Sequence, residues 1–345
     1  MSTNESAPLA DAVTVPIPVE PEAPEEGPRV VTAAELAERA VSRETPDTPI
    51  AEAAWAAVRV LANRLAGDLP RPSVTRVITV ANQKGGVGKT TTTVNLAASL
   101  ALHGIRVLVI DLDPQGNAST ALSIDHHADI PNVYDVLVEG RPLVEVVQKV
   151  EAIPNLWCAP ATIDLAGAEI ELVSLVARES RLERALAAYD AEMDYILIDC
   201  PPSLGLLTVN AFVAGSEVLI PIQCEYYALE GLGQLLRNVE LVRGHLNPRL
   251  HVSTILLTMY DARTRLAAQV ADEVRSHFED VVLRTTIPRS VRISEAPSYG
   301  QTVMTYDPGS SGALSYLEAA REMALKQDQP AGSTETLATS VQEVR

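Results

Sequence analysis

From about residue 75 onward, short apolar runs alternate with longer stretches in which apolar residues recur every three or four positions. The runs 75–80, 106–110, 156–159, 195–198, 217–222 and 252–258 are rich in valine, isoleucine, leucine and threonine and predict strands, with 285–287 a further short one. Helical spacing fills several of the gaps. Residues 91–103 place Val94, Leu96, Ala97, Leu100 and Ala101 at helical intervals, and 178–189, 231–245 and 262–278 read the same way. This alternation predicts an α/β fold, a mostly parallel twisted sheet covered by helices on both faces of a single domain. No internal repeat interrupts it.

The two ends of the chain differ from this pattern. Residues 1–72 contain the run Pro16-Ile17-Pro18-Val19-Glu20-Pro21-Glu22-Ala23-Pro24-Glu25-Glu26, which is acidic, proline-rich and unable to bury a core, so a disordered extension is expected. Within it, 50–65 is alanine-rich with Trp55, Val58, Leu61 and Leu65 at helical spacing. That predicts an amphipathic helix for docking on the body or on a protein partner. Residues 327–345 are polar again and are expected to be a flexible tail. The folded domain is therefore expected over 73–326.

At 345 residues and 47% hydrophobic content, the chain is long enough for one large domain plus tails. No apolar run approaches the roughly twenty residues of a membrane span, and the acidic N-terminus is unlike a secretion signal. A cytoplasmic protein with no membrane attachment is expected. Cys158, Cys200 and Cys224 lack the close spacing of a metal or redox motif and fit reduced thiols. His126-His127, without neighbouring ligands, reads as surface. Of the formal charge of −18, residues 1–73 carry twelve acidic and six arginine side chains, a net −6, which leaves −12 on the remainder. Blanket nucleic-acid affinity is thus excluded, and any such contact must come from a local basic patch.

The run Lys84-Gly85-Gly86-Val87-Gly88-Lys89-Thr90-Thr91 lies between a predicted strand and a predicted helix. Glycines in that context let backbone N–H groups close around phosphate oxygens at a helix N-terminus. Lys89 then reaches the β- and γ-phosphates, and the Thr90 hydroxyl suits Mg²⁺. Two features stand out. The general pattern wants glycine at position 83, where this chain has Gln83. The chain also has only four lysines, Lys84, Lys89, Lys149 and Lys326, and two of them sit in this loop.

Two apolar runs end in acids: Val107-Leu108-Val109-Ile110 leads into Asp111-Leu112-Asp113-Pro114, and Tyr195-Ile196-Leu197-Ile198 leads into Asp199-Cys200-Pro201-Pro202. Ligand groups gather at the carboxyl ends of parallel strands, so these carboxylates are expected to face the nucleotide, with Asp199 as a Walker B metal-binding acid.

Taken together, Lys-Gly-Gly-Val-Gly-Lys-Thr-Thr, Asp-Leu-Asp-Pro-Gln-Gly-Asn and Ile-Asp-Cys-Pro-Pro-Ser resemble the deviant Walker P-loop NTPases, and within them the chromosomal ParA (Soj) partition ATPases. Further matching segments are Ala166-Gly167-Ala168-Glu169, Gln223 to Gly231, Asp261-Ala262-Arg263-Thr264 and Ser294-Glu295-Ala296-Pro297-Ser298. The likeness covers about 76–326 and not the extension. It implies an ATPase that uses ATP and Mg²⁺ and is stimulated by a ParB-like centromere-binding protein. It further implies an ATP-bound homodimer in which Lys84 touches the partner's nucleotide, as an arginine finger would. Asp113 is implied to orient the attacking water and to join Thr90 and Asp199 around the metal, while Pro288, Arg289 and Val291 pass near the adenine. Arg263 and Arg292 match positions that bind double-stranded DNA non-specifically, which implies a nucleoid-associated protein. Without the resemblance, those arginines read as ordinary solvated surface charges.

Other proteins of this class fit less well. A membrane-positioning ATPase needs a basic amphipathic C-terminal helix, and 327–345 has no apolar stripe. An iron–sulfur reductase needs paired cysteines. A metabolic ligase on the same fold would need a small-molecule pocket that no motif marks. An autorepressing relative would carry a helix-turn-helix in its extension, and this extension has the wrong chemistry for DNA.

Overall fold

Aliphatic and β-branched residues at the predicted positions pair into one eight-stranded sheet. The computed structural model describes residues 69–326 apart from 128, 226 and 227. The extension through residue 68, the helix expected over 50–65 and the tail from 327 therefore lie outside the described residues. The strands are β1 (Arg76–Val80), β2 (Val107–Asp111), β3 (Gln148–Lys149), β4 (Leu156–Ala159), β5 (Tyr195–Asp199), β6 (Glu217–Gln223), β7 (His251–Tyr260) and β8 (Val282–Pro288). Their order across the sheet is β3-β4-β2-β5-β1-β6-β7-β8. All neighbours run parallel except β3 against β4. The two-residue β3 has no β-rich pattern, and nothing in the sequence announced it.

Helices cover both faces. They are α1 (Lys89–Leu102), α2 (Asn117–Ala121), α3 (Leu165–Glu171), α4 (Arg181–Ala187), α5 (Leu206–Ala214), α6 (Ala228–His245), α7 (Arg265–His277), α8 (Val291–Glu295), α9 (Val303–Tyr306) and α10 (Ser311–Leu325). Strand residues alternate between two cores, as a period of two requires. Ile78, Val80, Val107, Val109 and Leu197 pack under α1 and α10. Leu108, Ile110, Ile196, Ile198 and Ile220 pack under α5, α6 and α7 on the other face. Because both faces are covered, β2 and β5 are buried along their whole length. Leu69, at the start of the described chain, is also buried.

At the amino-terminal end of the sheet, Arg76 and Glu217 form a buried ion pair. Arg76 Nε and Nη2 donate to the two Glu217 carboxylate oxygens at 2.7 and 2.6 Å, and Arg76 Nη1 reaches the Met323 carbonyl of α10 at 3.0 Å. Burial by itself lowers the arginine pKa, but the hydrogen bonds and charge of Glu217 reverse that and raise it. Burial likewise raises Glu217, and Arg76 more than reverses it, holding the carboxyl below its usual range. The pair thus joins β1, β6 and α10.

Arg76→Ala strands the Glu217 carboxylate and is expected to lower the unfolding free energy by about 3–5 kcal/mol, measured by urea unfolding of the full chain. A loss below about 1 kcal/mol would place the pair with exposed surface bridges. The sign with pH is also fixed. A lowered carboxyl pKa gives stability that is present above the usual glutamate range and lost as pH falls through the lowered value. The variant should lack that acid-side loss.

Candidate nucleotide-binding site

The loop between β1 and α1 owes its shape to two glycines in the left-handed region, Gly86 at φ +74 and Gly88 at φ +86. Gly88 caps α1, so the turn ends with the helix N-terminus facing the loop. A Cβ on Gly85 or Gly86 would meet no protein atom within 4 Å, which leaves the loop open to whatever binds there. Neighbouring strands hold it. Asn82 Nδ2 donates to the Pro221 carbonyl of β6 at 2.8 Å and Asn82 Oδ1 accepts the Lys84 N–H at 3.0 Å. The Thr258 hydroxyl of β7 donates to the Val87 carbonyl at 2.9 Å.

The two lysines of the loop occupy opposite environments. Lys89 is buried, and its Nζ donates to the Lys84 carbonyl at 3.3 Å. Burial lowers its pKa, while the charges of Asp199 and Asp113 oppose that shift. Lys84 is turned out to a half-exposed position, where Nζ pairs with Glu225 Oε2 at 2.8 Å. Gln223 Nε2 donates to the other Glu225 oxygen.

Asp111 and Asp199 lie side by side in register on β2 and β5, both wholly buried. Only Asp199 faces the loop. Its Oδ1 accepts from the Thr93 hydroxyl at 3.0 Å, and its Oδ2 is buried with no hydrogen-bond partner. The expectation that the acids of the 111–113 run both face the nucleotide is corrected for Asp111. That carboxylate accepts the Asp113 N–H at 3.2 Å and the Ser119 N–H and hydroxyl at 2.9 and 2.8 Å, so it is spent on folding its own loop. Asp113 is buried as well and uses Oδ1 for the Gln115 N–H at 3.0 Å. Burial pushes Asp111 and Asp199 above the usual carboxylate range; the Asp111 charge raises Asp199 further, and the Thr90 and Thr93 hydroxyls pull it back.

This donor set fits a hard divalent cation. A buried carboxylate oxygen without a donor calls for a positive partner, and the hydroxyl and carboxylate oxygens of Thr90 and Asp199 are the ligands Mg²⁺ prefers. Among the described residues, no cluster of three or more His, Cys, Asp or Glu forms a metal site on its own. Thr93 escaped the sequence reading. Its signal was a threonine three residues after Thr90, on the same helix face.

The remaining predicted residues lie at or just after the carboxyl ends of β7 and β8. Pro288 ends β8, Arg289 follows it and donates its N–H to the Tyr260 carbonyl at 3.2 Å, and Val291 begins α8 with its side chain exposed. Arg263 precedes α7 and Arg292 lies in α8, so Arg263, Arg289 and Arg292 gather at the carboxyl ends of β7 and β8. Both DNA-matching arginines are already paired. Arg263 grips Asp261 with Nε and Nη2 at 2.9 Å each, and Arg292 lies 3.1 Å from Glu295 and 3.5 Å from Asp307.

A family model described as an AAA domain matches residues 75–252. The chain is 56% identical over 250 residues to the sporulation initiation inhibitor protein Soj of Bacillus subtilis (strain 168), covering 72% of this chain and 98% of that protein. It is 52% identical over 258 residues to the chromosome partitioning protein ParA of Myxococcus xanthus (strain DK1622), covering 75% and 90%. Among solved structures, it is similar to cobyrinic acid a,c-diamide synthase from Mycobacterium smegmatis with bound ATP analog and magnesium. The identity there is 40% and the TM-score 0.62, over 72% of this chain and 93% of that one.

Lys89→Ala removes the one buried cation of the loop and is expected to weaken nucleoside triphosphate binding by more than about a hundredfold, measured by titration calorimetry. Retained affinity within a few-fold would contradict the assignment of the loop.

Proposed function

The chain belongs to the Soj and ParA family of chromosome-partitioning ATPases, and on that premise we propose a nucleotide-driven DNA-segregation switch. In this reading ATP closes a homodimer, the dimer holds nucleoid DNA without sequence preference, and a ParB-like centromere-binding protein triggers hydrolysis and release. The observation that carries it is the split between the two loop lysines. Lys89 is committed to its own cradle, whereas Lys84 stands outside it on an exchangeable partner, Glu225. A cation so placed is free to reach the triphosphate of a second subunit, which makes dimerisation depend on the γ-phosphate. No described helix is long and apolar enough to cross a membrane.

The chain's residues divide the work. The backbone N–H groups from Gly85 to Thr91 and the Lys89 ammonium bind the phosphate oxygens and fix the γ-phosphate at the end of α1. Thr90, Asp113 and Asp199 would hold Mg²⁺, which when bound supplies charge neutralisation on the phosphate oxygens. Asp113 keeps one oxygen on Gln115 and uses the other to orient water toward the γ-phosphorus. As the water oxygen bonds to the γ-phosphorus and releases a proton to solvent, the bond to the β–γ bridging oxygen breaks, giving ADP and phosphate. Lys84 from the second subunit steadies the negative charge on the transferring group. Pro288, Arg289 and Val291 border the adenine, and Arg263 and Arg292 meet DNA phosphates.

Lys84→Ala and Asp113→Ala should separate the steps. Lys84→Ala is expected to bind ATP within a few-fold of the parent yet remain monomeric with ATP in light scattering; an ATP-dependent dimer would end the in-trans role. Asp113→Ala is expected to dimerise with ATP while turnover falls by roughly 10²-fold or more, and normal turnover would remove Asp113 from the mechanism.

Co-sedimentation with DNA of arbitrary sequence, with ATP, ADP and no nucleotide across a salt series, tests the switch. Binding is expected to need ATP and to weaken steeply with salt, and Arg263→Glu with Arg292→Glu should abolish it. Binding to anionic liposomes in place of DNA would favour a membrane-positioning ATPase.

A further inference from the structure

The surface at the carboxyl ends of β7 and β8 carries its cations and its acids in matched positions. Asp261 binds Arg263 through both carboxylate oxygens and also accepts the Arg263 N–H at 3.0 Å. That hydrogen-bonded clamp holds the Asp261 carboxyl down to about 2, and the Arg289 charge adds to it. Arg292 is met from two sides. Glu295, one turn along α8, and Asp307, just after α9, lie 3.1 and 3.5 Å from its guanidinium. The Tyr306 hydroxyl donates to the same Glu295 oxygen at 3.3 Å, and the Tyr306 ring stacks on Tyr299 at 5.1 Å. The Glu295 side is therefore set by packing as well as charge. Arg263 is nonetheless 88% exposed and Arg292 56% exposed, so an outside anion can reach both.

A carboxylate and a phosphate take a guanidinium in the same forked geometry. An arginine that already holds a carboxylate must give up that bond, in whole or part, to take a phosphate. We propose that Asp261, Glu295 and Asp307 are built-in competitors for DNA phosphate, which hold the two DNA-facing arginines in the free subunit and set how weakly one subunit grips DNA. The proposal rests on the reading of Arg263 and Arg292 as DNA contacts. It adds residues of opposite charge to that surface and assigns them a role. An exposed ion pair is worth little, so the competition weakens a single subunit only modestly. A dimer applies two patches at once, and small per-subunit terms multiply. Weak single-subunit binding lets release follow directly from dimer opening.

The test uses the full chain, a labelled duplex of arbitrary sequence and fluorescence anisotropy, with ADP and with a slowly hydrolysed ATP analogue and Mg²⁺. Asp261→Asn keeps the side-chain oxygen that accepts the Arg263 N–H while removing the charge. It is expected to tighten binding by roughly two- to five-fold with ADP and by about the square of that factor with the ATP analogue. Glu295→Gln with Asp307→Asn should act similarly through Arg292. Repeating Asp261→Asn on an Arg263→Ala background separates a specific competitor from a general change of charge. The gain should vanish there. The same gain with and without Arg263, or no gain in the parent, overturns the competitor role while leaving the DNA reading in place. A parent chain that binds no DNA in any nucleotide state overturns the DNA reading, and the competitor role falls with it.

Discussion

Two carboxylates in register on adjacent strands, both without solvent, set the central constraint of this structure. Burying even one ionised carboxylate costs several kcal/mol unless donors or a counter-charge meet it. Asp111 is met by three donors from its own loop, which fixes the course of the chain from Asp113 to Ser119 and starts α2. Ser119 carries this further, since its hydroxyl also accepts the Ala161 N–H at 3.2 Å and so ties the segment after β4 to the same centre. Asp199 is met on one side only. The N-terminus of α1 supplies Thr93, with Lys89 and Thr90 nearby, and leaves one oxygen bare. The helix must therefore begin where it does, and the left-handed Gly88 is what lets the loop deliver it there. α10 packs beside α1 on the same face of the sheet, against β8.

The parts of this arrangement that depend on short-range chemistry were legible in the sequence. Strands β1, β2, β5 and β6 announce themselves through β-branched runs, and the loop through its glycines. The acids at the ends of β2 and β5 are visible as the first polar residue after four apolar ones. What they touch was not visible. Asp111 and Asp199 look equivalent in sequence, and only the fold shows that Ser119 occupies one and leaves the other open. The Lys84–Glu225 pair spans 141 positions, so no local pattern could suggest it. Helix α10 was missed for a different reason. Its buried set, including Ala313, Leu314, Tyr316, Leu317, Ala319 and Ala320, goes most of the way round the helix, and small residues blur the period that marks an amphipathic face.

The contrast between Lys84 and Lys89 follows from the same constraint. A desolvated ammonium is held charged only by nearby anions, and Lys89 has Asp199 and Asp113 for this. A polyphosphate brought to the loop adds a further anion to those that hold Lys89 charged. Lys84 is solvated and paired, so moving it to another anion exchanges one ion pair for another and carries little desolvation cost. Five positions apart in one loop, the first lysine is suited to a reversible contact and the second to a permanent one. Glu225 is therefore part of the description of Lys84, because the strength of that pair sets how readily the lysine leaves it.

The same reasoning governs the acidic balance of the chain. A formal charge of −18 opposes the approach of any anionic polymer. At physiological ionic strength, however, charges separated by more than about 8 Å of solvent are largely screened. The acids that weigh on a phosphate contact are those within that distance of the arginines, and the rest bear mainly on solubility. Asp261, Glu295 and Asp307 lie well within it. Total charge therefore excludes indiscriminate binding and says little about a specific surface. The balance that matters is struck between side chains a few ångströms apart, in the ordering of a few carboxylates around a few arginines.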